Sequence, residues 1–291
     1  MTSQVTVIGD ALIDELRHLS GDQEHVGGAA LNVAVGLTRL GVSATLIAMV
    51  GEDEPGERIR SYLDGFGIRL IATPSPSGTA RAISTRNGDG EPRYEFTEAA
   101  RLRRIRFGRQ ERIAISDADA VVVSGYPFDD PAQAGRLRTA LASASGIVAV
   151  DPNPREGLLR DRGEFIRGFE ALAAHTDLVK VGDDDAALLY GASIDDLRLR
   201  LLSIGSQIVL ATHGPGGGSI HSRDMSVSRP VPALPAPIID TMGAGDAVLA
   251  SAVASLLDRE RREQNWEMLL ERAMDIAAAT CRHTGALLRT A

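Results

Sequence analysis

A chain of 291 residues with 44% hydrophobic and 24% charged side chains has the balance of a globular protein, which excludes collagen-like, coiled-coil and disordered classes. It contains no run of about 18 apolar residues to span a membrane, and a net charge of −8 is not the basic footprint of a nucleic-acid binder. One cysteine, Cys281, excludes an internal disulfide and zinc sites built from several thiolates. Met1–Gln4 shows no signal-peptide pattern, so a cytoplasmic address is expected.

In chain order, short β-branched runs end in Gly, Ser, Thr or Asp: Val5–Asp10, Thr45–Gly51, Ala120–Gly125, Gly146–Asp151, Asp177–Gly182 and Gln207–Thr212. Continuous apolar runs suit strands buried on both faces of a parallel sheet. Helical patterns lie between them, as in Ala29–Leu40, where Ala30, Val33, Ala34, Leu37 and Leu40 share one face. The alternation predicts a doubly wound α/β fold with helices on both faces, whose ligands bind beyond the carboxyl ends of the strands. From about residue 68 to 100 the strands become shorter and more polar (Leu70–Ala72, Ala80–Thr85, Arg93–Phe96), separated by turns at Pro74–Gly78 and Asn87–Gly90. This stretch reads either as a hairpin insertion or as a small antiparallel lid, with a further contribution from about 11–26. Tyr94 and Arg81 on it could reach a ligand. The six arginines of Arg101–Arg112 read as solvated surface. No internal repeat or linker divides the chain, and a single domain over 1–291 is expected.

The chemistry concentrates at two places. Asp240-Thr241-Met242-Gly243-Ala244-Gly245-Asp246 precedes an apolar helical stretch. Small residues at a helix mouth leave backbone amides unshielded, and with the helix dipole they favour an anion. Asp246 is either a helix cap or a base poised beside a transferring phosphoryl group. At the other end, Gly27-Gly28-Ala29-Ala30-Leu31-Asn32 opens a helix, and Asp10 and Asp14 follow the first strand. Carboxylates and an amide near exposed backbone suit a polyhydroxylated small molecule, although Asn and Asp are also common at helix starts. Neither a Walker loop nor a dinucleotide fingerprint is present. Thr212-His213-Gly214-Pro215-Gly216-Gly217-Gly218 is a turn or a loop flat enough for a nucleotide. Lys180, the single lysine, ends a strand on the ligand side and could face that nucleotide.

These strings together resemble the ribokinase-like (PfkB) family of carbohydrate kinases, in order and about 200 residues apart. The first signature is matched from Gly27 through Asn32, Ala34 and Gly41 to Gly51, the second by Asp240-Thr241-x-Gly243-Ala244-Gly245-Asp246. Asp151-Pro152-Asn153-Pro154-Arg155 and Gly9–Asp14 are similar to the fructokinase and 2-keto-3-deoxygluconate kinase branches. The resemblance implies Asp246 as catalytic base and Gly243, Ala244 and Gly245 as anion hole. It also implies Asp10, Asp14, Gly27, Gly28, Asn32 and Arg155 around the sugar, with Thr212, Gly214 and Gly217 at the nucleotide. Cofactors so implied are ATP and Mg²⁺, the latter at Asp185 through water, and in some members K⁺ at Asp240 and the Met242 carbonyl. Four positions depart from the pattern. Gly182 and Asp185 stand for the family's Asn and Glu, Ser251 for a usual Gly, and Met274 for an Asn near the adenine.

The expected activity is ATP-dependent phosphorylation of a primary hydroxyl on a small carbohydrate, fructose-like by motif. Ribose, a nucleoside and 2-keto-3-deoxygluconate are alternatives. Large apolar side chains near Asp14 would favour a nucleoside, and a second arginine beside Arg155 would favour an acid. A non-catalytic sugar-binding regulator is the rival from another class. The expected partners are the sugar, ATP and a second copy of the chain, with neither nucleic acid nor membrane.

Overall fold

Alternate residues along each central strand are buried toward opposite sides, as a sheet covered by helices on both faces requires. The computed structural model describes residues 2–17, 22–86, 92–258 and 265–290, and for 86 and 92–94 the backbone only. Its strands are β1 Gln4–Gly9, β2 Leu12–Arg17, β3 Gln23–Gly27, β4 Ser43–Val50, β5 Arg69–Pro74, β6 Arg81–Arg86, β7 Pro92–Phe96, β8 Ala120–Ser124, β9 Ile147–Asp151, β10 Leu178–Gly182, β11 Ile208–Thr212, β12 Gly218–His221 and β13 Ser226–Arg229.

The main sheet runs β13-β12-β11-β10-β9-β8-β1-β4-β5. It is parallel from β11 to β5, while β12 and β13 return antiparallel at one edge. Val5, Val7, Leu46, Val122 and Leu178 face the core under the helices Ala29–Arg39, Ala244–Leu257 and Trp266–Thr280. Ile8, Ile47, Val121, Val123 and Val179 face the core under Pro131–Leu141, Arg162–Ala173 and Ile194–Ile204. Several helices start where the sequence supplies a cap: Asp53, Asp130 and Asp161 each accept a first-turn amide, the first two with a proline just after.

A second sheet, β3-β2-β6-β7, covers the carboxyl edge of the first. Two antiparallel hairpins, β2–β3 and β6–β7, join through a parallel β2–β6 pairing. The extent expected for this lid needs correction. Leu70–Ala72 belongs to β5, which pairs with β4 at the edge of the main sheet, because its apolar residues are covered there by the core. The turn Asn87–Gly90 and the side chain of Tyr94 lie outside the described residues. Arg81 lies beside Ile13 and pairs with Glu15 and Glu24, on the face of the lid opposite Asp14. Among the described residues no helix is long and apolar enough to cross a membrane.

Candidate active site

Because β1, β8, β9, β10 and β11 are parallel, their carboxyl ends meet along one edge and bring Asp10, Gly125, Asp151, Gly182 and Thr212 to it. Asp10 fastens the helix that starts there: its Oδ1 accepts from the Ala30 amide at 3.1 Å and its carbonyl from the Leu31 amide at 3.2 Å. A side chain at Gly125 would come within 2.6 Å of that carboxylate, so glycine keeps the space open. Gly28 precedes the helix at φ 109°, where a Cβ would also press on the Asp10 carbonyl at 2.8 Å. Burial raises the Asp10 pKa, opposed mainly by the Arg103 guanidinium and then by Arg155.

Asp14 reaches the site from the lid strand β2. Its carboxyl group occupies the volume that a side chain at Gly27 would need. Burial, and the charges of Asp10 and Asp246, push it up to about 7. His25 is opposite Asp14 in the β2–β3 ladder and shares its face, and its buried Nε2 has no partner among the described residues.

Gly243 is the cap of the helix Ala244–Leu257, at φ 76°, ψ 0°, and a Cβ there would lie 2.6 Å from Ala286. The Ala244 amide closes the turn onto the Thr241 carbonyl at 3.2 Å, so of the anion hole expected at Gly243, Ala244 and Gly245 the Ala244 amide is already engaged. The amides of Gly245 and Asp246 fall in the first helical turn, where no intrahelical carbonyl is available, and among the described residues no side chain caps them. Asp240 staples this loop, its two oxygens accepting from Met242 N and Gly285 N at 3.0 Å each.

The Asp246 Oδ2 accepts from Asn32 Nδ2 at 2.9 Å, across 214 residues of chain. Burial pushes Asp246 up to about 7. Asn32 opposes the rise, Asp151 adds to it, and Lys180 and Arg155 oppose it. Lys180 does not face an open nucleotide cleft: it is buried, with Nζ 2.9 Å from Asp151 Oδ2. Asp185 Oδ2 accepts from the Gly182 amide at 2.7 Å, capping the helix Asp183–Tyr190, and burial raises its pKa.

At the end of β11, Thr212 Oγ1 donates to the Val181 carbonyl at 3.3 Å, beside Gly182. Gly214 opens a short 3₁₀ turn, and Gly217 at φ 96° lies so close to Arg229 that a side chain would overlap its carbonyl. Apart from Pro215, the turn is therefore bare backbone. Met274 is buried beneath Gly218, and Ser251 is fully buried with no partner for its hydroxyl among the described residues.

Arg103 is the residue that sequence reasoning passed over. Five of the six arginines in its segment are exposed, but Arg103 turns inward. Its Nε donates to the Gly125 carbonyl at 3.3 Å and its Nη1 to the Ala100 carbonyl at 3.1 Å. With Asp10, Ala11, Leu12, Ala80 and Leu158 it lines a small cavity at the sheet edge. No local spacing distinguishes it from its neighbours. Asp151 stood in a quoted motif without a task, and the structure gives it Lys180.

This geometry brings a carboxylate, unpaired helix-mouth amides and a covering lid together at one sheet edge. A family model described as pfkB family carbohydrate kinase matches residues 3–290. The chain belongs to the PfkB family of carbohydrate kinases. It is a sugar kinase, a phosphotransferase acting on a sugar hydroxyl. It is similar to the fructokinase of Rhizobium leguminosarum bv. trifolii, 28% identical over 260 residues, covering 85% of this chain and 78% of that one. Its ribokinase-like fold matches the fructokinase of Xylella fastidiosa with bound ATP, with a TM-score of 0.81, 22% identity and coverage of 99% and 94%. It also matches the fructokinase of Vibrio cholerae O395 bound to fructose, ADP and calcium, with a TM-score of 0.81, 21% identity and coverage of 98% and 95%.

Proposed function

We propose that this kinase transfers the γ-phosphoryl group of ATP to a primary hydroxyl of a compact, fructose-like sugar. The observation that carries the reading is the Asp246 carboxyl held by Asn32 at the mouth of a helix whose Gly245 and Asp246 amides have no partner among the described residues. Asp246 accepts the hydroxyl proton as the phosphoryl group moves, and the amides of Gly245 and Asp246 take charge on its oxygens. Asp10, Asp14 and Asn32 hold sugar hydroxyls, and Arg155 sits within electrostatic reach of Asp10, Asp14, Asp185 and Asp246. The bare turn Gly214–Gly217 receives the nucleotide, as the ATP named for the Xylella structure supports. The lid excludes water from the phosphoryl group.

Mg²⁺ fits a site with one carboxylate, since it keeps several waters and is otherwise held by phosphates. Asp185 would hold it through the oxygen that does not cap Gly182, and the ion would supply charge neutralisation on the triphosphate. Both Asp240 oxygens already hold amides, so Asp240 fastens the loop, and no step is assigned to a monovalent cation.

Arg103 is a second guanidinium acting with Arg155 on Asp10, and this favours a sugar acid as the second reading. Release of ADP from ATP and Mg²⁺ is measured with fructose, ribose, 2-keto-3-deoxygluconate and a nucleoside. The highest kcat/KM is expected with fructose. A preference for the acid establishes the second reading, and absence of turnover with all four refutes the fructose-like reading. The reading of the chain as a homodimer rests on the lid's two edge strands, β3 and β7.

A further inference from the structure

Lys180 is buried, with 7% of its surface exposed, and the sugar-kinase reading so far gives it no task. Side-chain alternation along β10 sends Leu178 and Lys180 to the face that helix Ala244–Leu257 covers, and Val179 and Val181 to the other. Asp151, fully buried at the end of β9, meets it there at 2.9 Å. On its other side the ammonium lies against the phosphoryl loop. A methyl group on Gly245 would be 2.9 Å from Nζ and 3.5 Å from Cε. The ammonium therefore fills the volume that a side chain at position 245 would take. Neutralising Asp151 requires a nearby cation, but it does not require that cation to sit under a loop with unpaired amides.

We propose that Lys180 is a positioning residue for phosphoryl transfer: clamped by Asp151, its ammonium props the Gly245 backbone and sets a fixed positive charge behind the Asp246 carboxyl. The inference rests on the reading of Asp246 as the base. The groups that face Asp246 are Asn32 from helix Ala29–Arg39, Asp151 from β9, Lys180 from β10, Arg155 after β9 and Asp14 from β2. Asp185, from helix Asp183–Tyr190, faces Lys180. Among the two cations, Arg155 is exposed and open to screening by salt. Lys180 is shielded, so it opposes the protonation of Asp246 that burial favours.

Two measurements test this. The variant K180M leaves Asp151 buried and unpaired, so it is compared with the neutral double variant K180M/D151N. The double variant is expected to fold and to keep its sugar KM within about threefold. Its kcat should fall at least about tenfold, with no upward shift of the acid limb of kcat, because the lost Asp151 and Lys180 charges act on Asp246 in opposite senses. A double variant within about twofold of the parent kcat would reduce Lys180 to a partner for Asp151 and overturn the proposal. The second measurement is independent of turnover. Lys180 is the chain's single lysine, so labelling with ¹⁵Nζ-lysine gives one ammonium resonance to follow from pH 5 to 9. An inflection near pH 7 is expected, absent in D246N. No inflection near pH 7, or one there that persists in D246N, also overturns it; the separate inflection near pH 6 belongs to Asp185 and remains in D246N. If no sugar is phosphorylated while the inflection near pH 7 is present, the kinase reading fails and the pairing of Lys180 with Asp246 stands.

Discussion

Replacing Asp246 by Asn removes the proton acceptor while keeping its shape, and the structure predicts opposite effects on turnover and on stability. The new amide oxygen can still accept from Asn32, so the helix mouth keeps its geometry. Loss of the base lowers kcat at least about 10²-fold, about 2.7 kcal/mol of transition-state stabilisation, while sugar binding is retained. Stability moves the other way. A carboxyl with an ordinary pKa of 3.8 is held up to about 7 by burial, so the folded state binds the proton more tightly than the unfolded one. The corresponding stability is fully present below about pH 4 and is lost as pH rises toward 7. The full difference is worth about 4 kcal/mol. Asp246 is only partly buried, and water in the cleft brings this to about 2 kcal/mol. Asn never ionises, so D246N recovers that loss at pH 8 and about a third of it at pH 5. Thermal unfolding without ligands should show Tm higher by roughly 5 °C at pH 8, with a much smaller gain at pH 5. Equal gains at both pH values, or a lower Tm at pH 8, would refute the assignment of a buried, proton-holding carboxyl. Near-normal kcat would refute its catalytic part.

Gly27→Ala tests the lid, because the new methyl overlaps the Asp14 carboxylate. Sugar KM should rise about tenfold or more with Tm within a few degrees of the parent, and an unchanged KM would remove Asp14 from the sugar site. Asp240→Ala frees the amides of Met242 and Gly285 from their shared carboxylate. Loss of two hydrogen bonds to a charged acceptor should cost about 2 kcal/mol in urea unfolding. It should also reduce kcat, since the loop carrying Gly245 is no longer stapled.

The two glycine-rich strings were legible because their chemistry is local. Gly243 must take a left-handed backbone and lie against Ala286, and Gly27 must leave room for Asp14, so both positions stand out as residues without side chains. The six strand runs were legible for the same reason, since residues buried on both faces leave a continuous apolar run. Arg103 was not, because six arginines share its segment and only the fold decides which one faces Asp10. Nor was the placement of β5, whose short run fits a lid hairpin or a sheet edge equally well until β4 lies beside it.

The order of elements, the parallel character of the sheet and the glycine-rich helix mouth were therefore determined by the amino-acid sequence alone, through patterns that span only a few neighbouring residues. Which groups meet was decided by tertiary structure. Asn32 reaches Asp246 across 214 residues, and Lys180 reaches Asp151 across 29, because strand order sets adjacent carboxyl ends together. Burial at that shared edge then holds Asp14 and Asp246 at about 7. Desolvation and the charge of a neighbour depend on distance through space, which no local pattern along the chain records.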